Sequence, residues 1–239
     1  HYKKEKEKFI NGKKGVTNFS YFLAETVYAG KLKPRNFLVI DEAHNTPEEL
    51  SKFIEVTISE RFCKSQNINF PEQLTQLQAF KWIEEKYYPH VRNRLKHMEG
   101  MLEKYSGLKE KIKEIQKASN NFDLLDKHVC KVKRFLDRYE KDNWVFNLLP
   151  GEGRSMRKLE FKPIDVSKYA HEYLFDRSNK VLLMSATILD RDAFCELLGI
   201  PLKDCEFLSL PSPFPVDNKP IITAGIGKMS AQYIDKTLP

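Results

Sequence analysis

The sequence predicts an α/β protein interrupted by a long helical segment, and three observations carry that prediction. Two short apolar runs, residues 37–40 and 181–184, empty directly into polar residues: Asp41 and Glu42 after the first, Ser185 and Thr187 after the second. Unbroken apolar runs of this length, ending in such residues, read as buried strands of a parallel sheet. Between them, from about residue 70 to 147, apolar residues recur at helical spacing instead. After the Gly-rich stretch "LPGEGRSMRKLEF" the α/β texture returns.

Taken in order, "VTNFSYFLAETVYAG" places Phe19, Phe22, Leu23 and Val27 on one helix face, with Gly30 as the stop. A basic loop containing Pro34 precedes the first strand. In "TPEELSKFI", Thr46 is expected as N-cap and Pro47 at the first helical position, with Glu48 and Glu49 near the positive helix end. Leu74, Leu77, Phe80, Ile83 and Tyr87 mark the next helix face, and Pro89 is expected to kink or break it.

A longer helical pattern runs through Leu108, Ile112, Ile115, Phe122, Leu125, Val129, Val132, Leu136 and Tyr139. It suits either an intramolecular bundle or a coiled coil between chains; the bundle is the more economical reading. His90, His97 and His128 show no ligand spacing. "DRDAFCELLGI" reads as a helix stopped by Gly199 and "LPSPFPVDNKP" as an extended connector; residues 221–223 begin a strand of a further domain. Because α/β texture flanks the helical segment, residues 61–150 are expected to be an insertion whose ends lie close together. Asp41 and Ser185 should then share one sheet.

Composition narrows the function classes. A hydrophobic fraction of 41% with 31% charged residues belongs to a globular chain, and no apolar run reaches the ~18 residues of a membrane span. The opening "HYKKEKEKFI" has neither a signal-peptide core nor an initiator methionine and is expected to continue a longer chain. Cys63, Cys130, Cys195 and Cys205 lack metal-site or disulfide-framework spacing, which points to a reducing compartment. Residues 61–150 hold 18 Lys/Arg against 12 Asp/Glu, most of the net charge of +7. That excess suits a polyanionic partner or a solvated face equally well.

The chemistry gathers at the strand ends, where open parallel sheets bind ligands. A carboxylate there can hold Mg²⁺ through its waters, and a second beside it can orient or deprotonate an attacking water. "VIDEAHN" resembles the DEAH form of the Walker B motif, and "LLMSATIL" resembles motif III of superfamily 2 helicases. "TNFSYFLAE" before the first motif, a basic helical insertion between the two, and "SPFPVDNKP" after the second together resemble the XPD/DinG branch of iron–sulfur DNA helicases.

The resemblance implies a partial RecA-like P-loop motor domain with a mainly α-helical Arch-like insertion. Residues 1–57 would be motor domain 1, 58–152 the insertion, 153–215 the return to motor domain 1, and 216–239 the linker and start of motor domain 2. Asp41 would hold Mg²⁺-ATP, Glu42 would be the catalytic base, and His44 would couple the nucleotide to the DNA side. Ser185 and Thr187 would link hydrolysis to domain movement, capping of the following helix being their plain structural alternative. Arg92, Arg94, Lys96, Lys131, Lys133 and Arg134 are the candidate contacts to single-stranded or forked DNA.

Full-length activity would be ATP-driven translocation, 5′ to 3′, in repair or replication. The protein would be a monomer without membrane attachment, cytoplasmic and nucleoid-associated in a prokaryote or virus, nuclear in a eukaryote. Two departures stand out: no GxxxxGK[ST] phosphate loop and no later motif arginine occur in these residues. The family's [4Fe–4S] ligands would precede the DEAH motif, yet no cysteine precedes Cys63; they lie upstream or this member lacks the cluster. A nuclease or RNA-directed relative, and a non-catalytic nucleic-acid-binding helical module, are the other readings.

Overall fold

The computed structural model describes residues 2–105, 112–151, 156–213 and 215. Leu108, the Gly-rich turn past Gly151, the strand at 221–223 and the further domain from 216 lie outside the described residues. The chain divides into two compact units, His1–Cys205 and Glu206–Pro239. In the second unit the described residues, 206–213 and 215, form neither helix nor strand, as the proline spacing of the connector dictates.

The first unit is mixed α/β. Helix α1 (Tyr2–Asn11) leads to α2 (Phe19–Leu23), which opens where Asn18 Oδ1 accepts from the Tyr21 amide at 2.7 Å and which widens into a π turn over Ala24–Tyr28. Strand β1 (Arg35–Ile40) follows, then α3 (Thr46–Ile54). Pro47 and two glutamates do occupy the first turn of α3. Thr46 is not its cap: it lies inside the helix, buried, and its hydroxyl has no hydrogen-bond partner. A short 3-10 turn, Ala43–Asn45, runs straight into α3, so there is no extended residue from which a side chain could cap.

Strand β2 (Val56–Ser59) and α4 (Glu60–Ser65) lead into the helical segment: α5 (Gln76–Trp82), α6 (Tyr88–Tyr105) and α7 (Ile112–Asp137). Thr75 and Gln78 form a capping box at the start of α5. Pro89 does not break the helix. A π turn over Ile83–Tyr87 joins α5 to α6, and its wider i→i+5 bonding makes room for a proline that has no amide to donate. Ala79, Ile83, Tyr87 and Val91 form the buried stripe, while Leu77 faces solvent.

Helix α7 pairs with α6 inside one chain and buries Leu125, Val129, Val132 and Phe135. Phe135 ties the helices to the sheet beyond: its ring centroid is 4.8 Å from those of both Trp144 and Phe161. Those residues belong to β3 (Trp144–Leu149) and β4 (Lys158–Pro163), which with β2 make an antiparallel sheet in the order β2-β4-β3. Ser59 and Leu149 both pair with Lys158, so the two ends of the helical segment lie on either side of one strand. The spacing of apolar residues predicts no antiparallel sheet at this place.

Helix α8 (Ser167–Tyr173), strand β5 (Ser178–Leu183) and helix α9 (Arg191–Leu197) complete the unit. β1 and β5 pair in parallel as a separate two-stranded sheet. Its inner face packs Ile40 with Leu38, Val181 and Leu183 over Leu174. The apolar runs imply strands covered on both faces; here Phe37, Val39, Leu182 and Met184 are left exposed. Among the described residues no helix is long and apolar enough to cross a membrane.

Candidate functional site

Parallel pairing brings the two apolar runs out of the sheet side by side. Ile40 lies opposite Leu183; beyond them the Met184 amide donates to Ile40 O and the Ala43 amide to Met184 O, both at 2.9 Å. Asp41 and Glu42 are therefore held against the segment that carries Ser185 and Thr187. The chain turns sharply at Glu42, whose φ of 50° and ψ of 41° put a non-glycine residue in the left-handed region. Such a conformation costs on the order of 1–3 kcal/mol and concentrates at functional turns. The Asn45 amide, donating to Glu42 O at 3.0 Å, closes the turn.

The side chains form a continuous polar chain. His44 Nδ1 is 2.8 Å from Ser185 Oγ and 3.4 Å from Glu42 Oε2. Ser185 Oγ is 3.2 Å from Thr187 Oγ1 and accepts from the Thr187 amide at 3.1 Å. Asp41 sits beside Glu42 with Oδ1 accepting from the Glu42 amide at 2.9 Å. Neither hydroxyl caps the following helix: α9 is capped by Asp190, whose Oδ1 accepts from the Ala193 amide at 2.8 Å. All five strand-end residues singled out in the sequence thus lie in one cluster, with Asp41, Glu42, His44 and Thr187 open to solvent.

The donor set suits a metal only in company. Among the described residues no group of three or more His, Cys, Asp or Glu side chains could hold an ion alone. Mg²⁺ in nucleotide sites takes one or two carboxylates and fills its shell with phosphate oxygens and water. Exposed Asp41 fits that role, and Glu42 beside it is placed to accept a proton from a water.

The six basic candidates are not one surface. Arg92, Arg94 and Lys96 project from α6 into solvent. Lys133 is exposed but paired with Asp137 at 3.1 Å on its own helix. Arg134 is structural: it bonds Glu172 Oε1 at 3.3 Å, donates to Val27 O at 3.2 Å, and lies over the Tyr173 ring at 5.5 Å. Lys131 is half-buried, and desolvation pushes its ammonium pKa down, Glu55 partly opposing.

Lys131 also lines a cleft of about 340 Å³ with Ser20, Tyr28, Glu49, Lys52, Phe53, Lys127 and His128, three lysines and two aromatic rings beside one carboxylate, from three separate stretches of chain; Lys52 is paired with Glu49 at 3.2 Å. Sequence reasoning missed this cleft, because nothing in the spacing of Tyr28, Phe53 and Lys127 announces that they meet. His128, ring-to-phenol, is 2.7 Å from Tyr87 Oη. Burial, with Lys131 nearby, holds His128 down to about 4, and burial pushes the Tyr87 hydroxyl up, so a neutral ring shares this bond with a protonated phenol.

No protein-family model matches the chain, and no curated protein matches it.

Proposed function

We propose that the chain is part of an ATP-dependent DNA helicase of the XPD/DinG kind: a section of a RecA-like motor domain carrying an Arch-like helical insertion. The observation that supports this most is the bond from His44 to Ser185, which links the DEAH-like turn after β1 to the SAT-like segment after β5. An ordinary pair of strand ends has no need of that link. The open apolar face formed by Phe37, Val39, Leu182 and Met184 also suits a sheet that is covered on both sides in the complete motor.

In this reading Asp41 would hold Mg²⁺, which when bound would supply positive charge to the phosphates of ATP. Glu42 orients the attacking water and accepts its proton. His44, bonded toward both Glu42 and Ser185, passes changes at the carboxylate to the strand-end hydroxyls, and Thr187 holds Ser185 in place. Arg92, Arg94 and Lys96 meet phosphates of a single strand, and Lys127 and Lys131, in the cleft beside α7, offer a second contact. A [4Fe–4S] cluster, if the complete protein has one, takes its ligands from outside this chain.

The phosphate-cradling lysine and the opposing arginine are absent from these residues. Arginine fingers alone are worth roughly 10³-fold or more, so the 239-residue chain by itself should hydrolyse no ATP above background. The test is ATP hydrolysis by the full-length protein with and without single-stranded DNA. Mg²⁺-dependent turnover stimulated by DNA is expected. Turnover indifferent to DNA, or none, contradicts the reading.

A further inference from the structure

Beside α7 the first unit holds a second, smaller cavity of about 10 Å³, which the strand-end chemistry does not use. Its polar wall comes from four elements: Tyr28 from the π turn, Lys131 and Arg134 from α7, Trp144 from the start of β3, and Tyr169 and Tyr173 from α8. The rest of the wall is apolar, and no carboxylate among the described residues lines it. Local spacing explains the pairs, since residues three or four apart share a helix face. The rings fix the wall: Trp144 and Tyr169 lie 6.4 Å apart, Tyr169 and Tyr173 6.2 Å, and the Arg134 guanidinium lies 5.5 Å over Tyr173.

This wall is rich in donors and poor in acceptors. Indole, ammonium and guanidinium groups donate and cannot accept. Trp144 is 2% exposed, and its buried Nε1 has no hydrogen-bond partner, its interaction with the Tyr169 phenol stopping short of a bond. An orphaned buried donor of this kind is rare and costly. Lys131 is half-buried and makes no ion pair or hydrogen bond among the described residues. Glu55 offsets its desolvation only in part and is paired with Lys162 at 3.9 Å. Arg134, by contrast, is met by Glu172 at 3.3 Å. Burial pushes the Tyr28 and Tyr169 hydroxyls up, so both keep their protons.

Size and chemistry together narrow the occupant. The cavity has room for one water or one monatomic ion and none for a phosphate or a carboxylate. A water needs acceptors for its own protons, which the indole, ammonium and guanidinium do not offer, whereas a monatomic anion needs donors alone. Tyr28, Phe53 and Lys131 also line the open cleft of about 340 Å³, so an ion can arrive from solvent past the lysine. We infer that this cavity is a chloride site, in which Lys131 and the Trp144 indole hold the anion. Bound there, it fastens β3, the first strand after the helical segment, to α7 and α8. The inference is independent of the helicase reading, and its test contains neither ATP nor nucleic acid.

Chloride binding by the full chain is read from the line width of the chlorine NMR signal. The line should broaden when the protein is added and sharpen again as bromide competes, while gluconate, too large for the cavity, should have no such effect. Lys131→Met should weaken binding about tenfold or more, and Trp144→Phe, which keeps a ring and removes the donor, about fivefold. Lys168→Ala removes an exposed cation of α8 and should leave binding unchanged. Circular dichroism checks the fold of each variant, and crystals of the parental chain soaked in bromide give a reading that needs no variant: an anomalous peak inside the cavity. A map with water alone in the cavity would overturn the proposal. So would broadening that survives Lys131→Met, or that falls as far in Lys168→Ala.

Discussion

His44 Nδ1 lies 2.8 Å from Ser185 Oγ, although 141 positions separate the two residues in sequence. The parallel register of β1 and β5 brings the pair together, and the turn at Glu42 aims the imidazole across the gap. A hydrogen bond of this kind contributes about 0.5–1.5 kcal/mol net. A double-mutant cycle of His44→Ala and Ser185→Ala, followed by urea denaturation, should show a coupling in that range. Strict additivity would mean that the two side chains do not meet.

The pair formed by Tyr87 and His128 predicts a pH dependence of stability. His128 is neutral in the folded chain because burial lowers it from 6.5 to about 4. Between those values the unfolded chain binds a proton that the folded chain does not. The stabilisation is therefore complete above pH 6.5 and is lost as pH falls toward 4. For this group the loss between pH 7 and pH 5 is about 2 kcal/mol. His128→Gln should flatten the fall by that amount. An unchanged pH profile in the variant would show that His128 is not the buried neutral base.

Gly30 and Gly199 test whether positive φ or packing dominates a helix stop. Both are left-handed, at φ 59° and 64°. A Cβ on Gly30 meets nothing within 4 Å, whereas one on Gly199 meets the Ser167 carbonyl at 2.9 Å. Gly30→Ala should cost about 1 kcal/mol, the conformational penalty alone. Gly199→Ala should cost about twice that or more, because backbone must move, and thermal melts of the two variants give the comparison. Equal costs would place the whole effect in φ.

The basic residues divide by environment, and their substitutions should divide likewise. Arg92→Ala, Arg94→Ala and Lys96→Ala remove exposed charge from α6 and should weaken single-stranded DNA binding. The slope of log affinity against log salt should fall by about 0.7 for each phosphate no longer neutralised. Arg134→Ala should act on the fold instead, costing about 2 kcal/mol through its bonds to Glu172 and Val27 O. If Arg134→Ala lowered DNA affinity without lowering stability, its ion pair would be incidental.

Which parts of this were legible beforehand follows from how local their causes are. The strands ending at Ile40 and Leu183, the helix stopped by Gly199 and the helical segment were readable because period and punctuation lie in the sequence itself. The meeting of Asp41, Glu42, His44, Ser185 and Thr187 was readable because parallel strands place their carboxyl ends together. The sheet β2-β4-β3 was not: β2 has four residues, and what makes it a strand is pairing with β4 about a hundred positions on. The fate of Pro89 was hidden because a π turn is tertiary relief of a local conflict. Lys131 and Arg134 looked like solvent charges, since sequence does not show that Tyr28, Phe53 and Glu172 come to meet them.

The most direct test of the central claim is DNA-stimulated ATP hydrolysis by full-length Glu42→Gln, measured beside Asp41→Asn and with Mg²⁺-ATP binding recorded for each. The amide at 42 keeps the shape but cannot take the water's proton, so turnover should vanish while nucleotide binding survives. Asp41→Asn should weaken the metal-bound state itself. A Glu42→Gln enzyme that turned over ATP at the parental rate would reduce this turn to an ordinary strand end and remove the helicase assignment with it.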